Sequence, residues 1–169
     1  MFEEVSNYFL DTVREEDVPV LVEWFNDPAL CRYMEDSEPD KRYGLDDVFS
    51  MIRNPTHSVY LALRHQNALV GYASLYDFKP QGEAEFSFLI GHPEFRGRKL
   101  GGVFVGLLCD KAKELGVKKL TCSVVSKNEP SIRCVQKNGF APISQGFERP
   151  PFMEMSDPTH QECVFEKHL

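Results

Sequence analysis

The residues best suited to do chemistry lie in one stretch, Pro93-Glu94-Phe95-Arg96-Gly97-Arg98-Lys99-Leu100-Gly101-Gly102. It follows an apolar, strand-like run from Phe86 to Ile90 and leads into a helical pattern from Val103 to Leu115. Glycine lets a backbone approach a ligand closely. The first N–H groups of a helix have no intrahelical partner, and the helix dipole adds partial positive charge there. A basic, glycine-rich turn entering a helix is therefore suited to phosphate oxygens. The sequence lacks G-x-x-x-x-G-K-[ST], so the turn is not a kinase-type P-loop. Nor is it a G-x-G-x-x-G turn after the first strand of a dinucleotide-binding unit.

The elements around the turn can be read in order. Tyr8 to Val13 reads as a strand, and Val18, Leu21, Val22 and Phe25 mark a helix for which Asp17 is the expected N-cap. Asn26-Asp27-Pro28 stops it, and a short helical piece is expected from Ala29 to Met34. Glu35 to Tyr43 reads as an acidic loop, and Leu45 to Ile52 as a helix ended by Asn54-Pro55. Ser58–Leu63 and Leu69–Phe78 form an expected hairpin, followed by a third strand, Glu83–Ile90. After the central helix, which Gly116 closes, come a strand over Lys119–Val125 and a helix over Ser131–Lys137. A strand over Phe140–Ser144, a long loop over Gln145–His160 and a strand over Glu162–Lys167 complete the chain. Antiparallel strands first, then strand–helix–strand–helix–strand, predict a mixed α+β or α/β sheet with helices packed on it. A right-handed crossover would make Glu83–Ile90 and Lys119–Val125 parallel neighbours. The basic turn then falls at the C-terminal end of a strand, where such sheets bind ligands.

With 169 residues the chain reads as a single domain, 1–169, able to bury one core. A net charge of −7 argues against general nucleic-acid binding and leaves room for a local basic pocket. The five cysteines form no C-x-x-C pair and read as reduced thiols of a cytoplasmic protein. The histidines show no ligand spacing, so no metal is expected. No run reaches membrane-spanning length, and Glu3 and Glu4 stand where a signal peptide carries basic residues.

Arg96, Gly101 and Gly102 resemble the [R/Q]-x-x-G-x-[G/A] pyrophosphate loop of the GNAT superfamily, the Gcn5-related N-acetyltransferases. Lys99 stands at a position usually held by glycine. A second block, Asn128 to Phe140, is similar to the family's N-x-x-[A/S]-x-x-x-x-x-K-x-G-F segment through Asn128, Ser131, Lys137, Gly139 and Phe140. The opening, with Arg14-Glu15-Glu16-Asp17 and Trp24-Phe25-Asn26-Asp27-Pro28, resembles the branch acting on ribosomal-protein N-termini, spermidine and small amines. The resemblance covers nearly the whole chain. It implies a GNAT-like, mostly antiparallel sheet of six to seven strands with about four helices.

The resemblance also implies acetyl-CoA as co-substrate and a small-molecule amine or protein N-terminus as acceptor, with homodimers known by analogy. Backbone groups of Phe88, Leu89 and Ile90 would pair with the pantetheine arm as an added strand. N–H groups from Gly97 through Leu100 to Gly102 would hold the pyrophosphate, and Arg96, Arg98 or Lys99 would meet the 3′-phosphate. Asn128 would bind the cofactor through its side chain, or serve as a turn residue before Pro130. The reaction is direct acyl transfer to a neutral amine. Glu85, which shares a strand face with Ser87 and Leu89, is the first candidate to take the amine proton, and Glu83 the second. A backbone N–H near Ile90 would serve the oxyanion. Many family members have a tyrosine where this chain has Val135. Ser131 is then the candidate hydroxyl for the leaving thiolate, or else the N-cap of its helix. Cys134 reads as core. Trp24, Tyr33, Tyr43 and the acidic run Glu35, Asp36, Glu38 and Asp40 would flank the acceptor side, or serve solubility. Two alternatives stay open: a catalytically idle acyl-CoA-binding module and a phosphate-binding domain unrelated to CoA.

Overall fold

The computed structural model describes residues 7–33, 41–147 and 162–169. Among these described residues, seven strands and five α-helices follow in the order β1 (Tyr8–Thr12), α1 (Val18–Phe25), α2 (Pro28–Cys31), α3 (Leu45–Arg53), β2 (Val59–His65), β3 (Ala68–Tyr76), β4 (Glu83–Ile90), α4 (Leu100–Glu114), β5 (Lys119–Val125), α5 (Glu129–Lys137), β6 (Ala141–Phe147) and β7 (Glu162–His168). The strands form one sheet in the order β1-β2-β3-β4-β5-β7-β6. Every neighbouring pair is antiparallel except β4 with β5, the parallel pair expected from the crossover through α4.

Alternation along the strands gives the sheet two apolar faces. On one, Leu61, Leu63, Ala73, Leu75, Ala84 and Phe86 pack against Leu100, Phe104, Val105 and Leu108 of α4. On the other, Ala62, Tyr72 and Leu89 pack against Val18, Leu21 and Trp24 of α1 and Val48 of α3. The middle strands are therefore covered on both sides, and β3 is buried from Val70 to Leu75. Gly116 has φ +83°, and Val117 N–H reaches back to Ala112 O, so α4 closes as its glycine predicts.

Some boundaries move for physical reasons. The β2–β3 ladder continues to His65↔Ala68, shortening the expected turn to Gln66-Asn67. β6 extends to Phe147 because it keeps pairing with β7, through two register shifts. The expected helix to Met34 ends at Cys31; Met34, the acidic run 35–40 and most of the expected loop (148–160) lie outside the described residues.

Asp17 does not cap α1 with its side chain. Its Oδ2 accepts the Arg14 N–H at 2.7 Å, closing the 3-10 turn Glu15–Asp17 that precedes the helix. The same carboxylate meets Arg64 of β2 in a two-pronged pair, Nη1–Oδ1 3.1 Å and Nη2–Oδ2 2.6 Å. Arg64 Nε also donates to Asp11 at 3.2 Å. Arg64 sits at a register shift after Leu63 and is only 3% exposed, with Asp17 at 5%.

Candidate active site

The basic turn is built from the end of β4 outward. Gly91 follows the strand, and a Cβ there would run into the Trp24 indole, so the ring packs directly on the backbone. Trp24 thus shapes the strand end from beneath and is absent from the cavity lining. Pro93–Phe95 forms a 3-10 turn, and Arg96 folds back so that its Nη2 donates to Gly91 O at 2.5 Å. Arg98 stacks over Phe95, 5.5 Å from the ring centroid.

Lys99 is the residue before α4 and has φ 61°, ψ 23°, with no side-chain cap to the helix. This left-handed conformation explains why glycine suits the position, since any side chain there costs about 1–2 kcal/mol. Lys99→Gly is expected to raise stability by about 0.5–1 kcal/mol, the strain relief less the added freedom of the unfolded glycine. A shift in the urea midpoint at unchanged m-value checks this.

Beyond the turn, Gly101 and Gly102 open the first turn of α4. A Cβ on Gly101 would lie 2.6 Å from Cys134 Sγ, so α4 and α5 approach here with no space for a side chain. Asn138, at the end of α5, fastens them: its Nδ2 donates to Gly102 O at 3.0 Å and to Cys134 O at 2.9 Å. Asn128 Oδ1 accepts the Ser131 N–H at 3.5 Å, so Asn128 is the cap of α5 and Ser131 is its third residue. Val135 is fully buried in the main core. Burial raises the Cys134 thiol, which keeps it protonated.

The space itself comes from the sheet. β4 and β5 pair only at Glu83↔Lys119, Ala84↔Leu120 and Glu85↔Thr121. Past Glu85 the strands separate, and Phe86–Ile90 and Cys122–Val125 line opposite sides of a cavity of about 1040 Å³. One end is bounded by Arg96, Gly97, Lys99–Gly102, Asn128 and Ser131. Arg98 is not among the lining residues, in keeping with its stacking on Phe95. Leu100 is largely buried, so its side chain belongs to the core and its backbone to the turn.

The other part of the cavity is walled by aromatic and hydroxyl groups. Across three strands, Tyr60 pairs with Ser74 and Ser74 with Ser87. The two serine hydroxyls share a 2.9 Å hydrogen bond. Phe25, Tyr33, Tyr43, Tyr72 and Tyr76 join them. Glu85 lies opposite Tyr76 in the register and lines a small adjoining pocket of about 230 Å³. Its register partner Tyr76 lines the main cavity. Burial, reinforced by Asp77, raises the Glu85 carboxyl above its ordinary value. Glu83 differs: a hydrogen bond from Lys119 Nζ, 2.7 Å away, holds its carboxyl below the usual range.

A family model described as an acetyltransferase (GNAT) domain matches residues 8–141. The chain belongs to the GNAT acetyltransferase family. Solved structures share the fold. Spermidine N-acetyltransferase from Vibrio cholerae, in complex with CoA and spermine, has a TM-score of 0.84 at 16% identity, over 96% of both chains. The aminoglycoside acetyltransferase AAC(6')-Ib in complex with coenzyme A has a TM-score of 0.73 at 19% identity, over 95% of this chain and 94% of that one. An amino-acid acetyltransferase of Aeromonas salmonicida is 27% identical over 84 residues, 50% of this chain and 18% of that protein. This chain therefore matches less than a fifth of that relative's length.

Within this GNAT domain, the structure brings Phe88, Leu89, Ile90, Arg96, Gly97, Lys99, Leu100, Gly101, Gly102, Asn128 and Ser131 to one cavity. Glu85 sits beside it, and Arg98 outside its lining. Tyr33 and Tyr43 also line it. Sequence reasoning missed Tyr60, Ser74, Tyr76 and Asn138. The first three are strand residues whose shared face depends on register. Asn138 stands before Gly139 in what reads locally as a simple helix stop.

Proposed function

We propose that the chain transfers an acetyl group from acetyl-CoA to a primary amine by direct attack. The observation that carries this reading is the separation of β4 from β5 after Glu85, which opens a cavity ending on the glycine turn. The residues present fit the co-substrate. Along Phe88–Ile90, paired with β3 on one side, the other edge has no strand partner and suits the pantetheine arm. The N–H groups of Gly97–Gly102 suit the pyrophosphate, with the Lys99 and Arg96 side chains nearby. Gly97 has open space where a side chain would stand, and at Gly102 the nearest group is Asn138 at 4.0 Å, which leaves phosphates room to reach the backbone.

The thioester supplies an activated acetyl carbonyl; the protein supplies position and proton transfer. A C–N bond forms as the C–S bond breaks. The amine proton passes to Glu85, directly or through water, and the raised proton affinity of that carboxyl suits a base working nearer neutrality. The Ile90 N–H serves the oxyanion, and Ser131 or water returns a proton to the thiolate. Below its pKa Glu85 is protonated and cannot accept, so kcat/KM should fall on the acid side, with the limb above the ordinary 4.5. Glu85→Gln should lower kcat by about 100-fold and abolish that limb. An unchanged profile with near-normal turnover rules out this assignment.

The experiment for the whole reading is acetyl-CoA titration by calorimetry followed by free-thiol detection over an amine panel. Val135, buried where a tyrosine donor is usual, favours a second reading, an idle acyl-CoA-binding module. Binding without thiol release on any amine would select it. The free cysteines agree with a reducing, cytoplasmic setting.

A further inference from the structure

The charges around the cavity narrow the acceptor. Among the described residues that line it, the charged ones are Arg32, Arg96, Lys99, Arg133 and Lys137, and none is Asp or Glu. Four of these cations belong to the glycine turn or to α5, where phosphates are proposed to bind. Arg32 does not. It follows α2, stacks over Tyr33 with its guanidinium carbon 4.6 Å from the ring centroid, and adjoins the aromatic wall. In that wall Phe25 contacts Tyr43 and Tyr72 at centroid distances of 5.5 and 5.0 Å, and Tyr60 stacks with Tyr72 at 6.4 Å.

A polycationic acceptor needs carboxylates to replace the water around its spare ammonium groups, and among the described residues these walls present none. Aromatic faces instead take up a flat or apolar body. A guanidinium held flat on a phenol ring keeps its edge donors free for a planar, two-pronged partner, which a carboxylate matches. Resting on the acetyltransfer reading above, we infer that the acceptor is an amine with an aromatic or apolar body that carries one carboxylate, bound by Arg32, with an aromatic α-amino acid as the simplest case. The exchange is the same: the α-amine nitrogen gains the acetyl carbon, the C–S bond breaks, and the thiol leaves with a proton.

The test compares initial rates on L-tyrosine, on tyramine, which lacks only the carboxylate, and on spermidine, each with acetyl-CoA and free-thiol detection. L-Tyrosine should exceed both others in kcat/KM by about tenfold or more. Arg32→Ala should raise the KM for tyrosine about tenfold to a hundredfold at nearly constant kcat, leave tyramine unchanged, and be partly rescued by Arg32→Lys. The inference is overturned if tyramine or spermidine is the better acceptor or if Arg32→Ala affects tyrosine and tyramine equally. It is also overturned if a chain that binds acetyl-CoA in calorimetry turns over no carboxylate-bearing amine. Absence of acetyl-CoA binding itself is a different outcome: it removes the transferase reading, and this inference with it.

Discussion

Arg64→Leu should destabilise the protein by about 3–5 kcal/mol, a loss read from urea or thermal unfolding. The guanidinium and the Asp17 carboxylate are both nearly inaccessible and bound through two parallel hydrogen bonds. Removing the cation leaves a carboxylate buried without its countercharge. The Arg14 N–H that Asp17 also accepts offsets only part of that loss. The comparison that isolates the cause is Arg64→Leu combined with Asp17→Asn. With the stranded charge gone, the double variant should lie within about 2 kcal/mol of wild type and above the single Arg64→Leu variant. A single-variant loss below about 1 kcal/mol would show that water reaches Asp17 once Arg64 is gone.

Gly101→Asp should weaken acetyl-CoA binding at least about 100-fold, near 2.7 kcal/mol, and should also cost stability where its Cβ meets the Cys134 sulfur. The new carboxylate would stand in the first turn of α4, where negative charge favours the free helix but repels a pyrophosphate. Size alone is a separate matter, because the new Cβ meets the Cys134 sulfur. Gly101→Ala measures that contact, and adding Cys134→Ala should restore binding by clearing it. If Gly101→Asp binds as wild type does, the pyrophosphate lies elsewhere.

Local features were legible in the sequence. The glycine turn, the α4 stop at Gly116 and the order of strands and helices each depend on residues close together in the chain. So did the parallel pair, since a helix of α4's length between two strands leaves few alternatives. Features made by distant residues were not. Asp17 looks like a helix cap until Arg64, 47 positions away, claims its carboxylate. Glu85 reads as sharing a strand face with Ser87 and Leu89, yet those two line the main cavity while Glu85 lines a small separate pocket, opposite Tyr76 in the ladder. Arg98 is one of three basic residues within four positions, Arg96 to Lys99. The fold turns it onto Phe95 while tying Arg96 to Gly91, and neither outcome follows from spacing.

The short β4–β5 ladder has a further consequence. A sheet normally keeps its unpaired backbone at its two outer margins, where it risks joining other chains. Here the pairing stops after Glu85↔Thr121, so β4 carries an additional raw edge inside the sheet, between walls set by the side chains of both strands. A second protein strand would have to bring side chains on alternating faces into that slot, whereas a slender amide-bearing chain would not. The same break that makes the edge reactive therefore shelters it from aggregation.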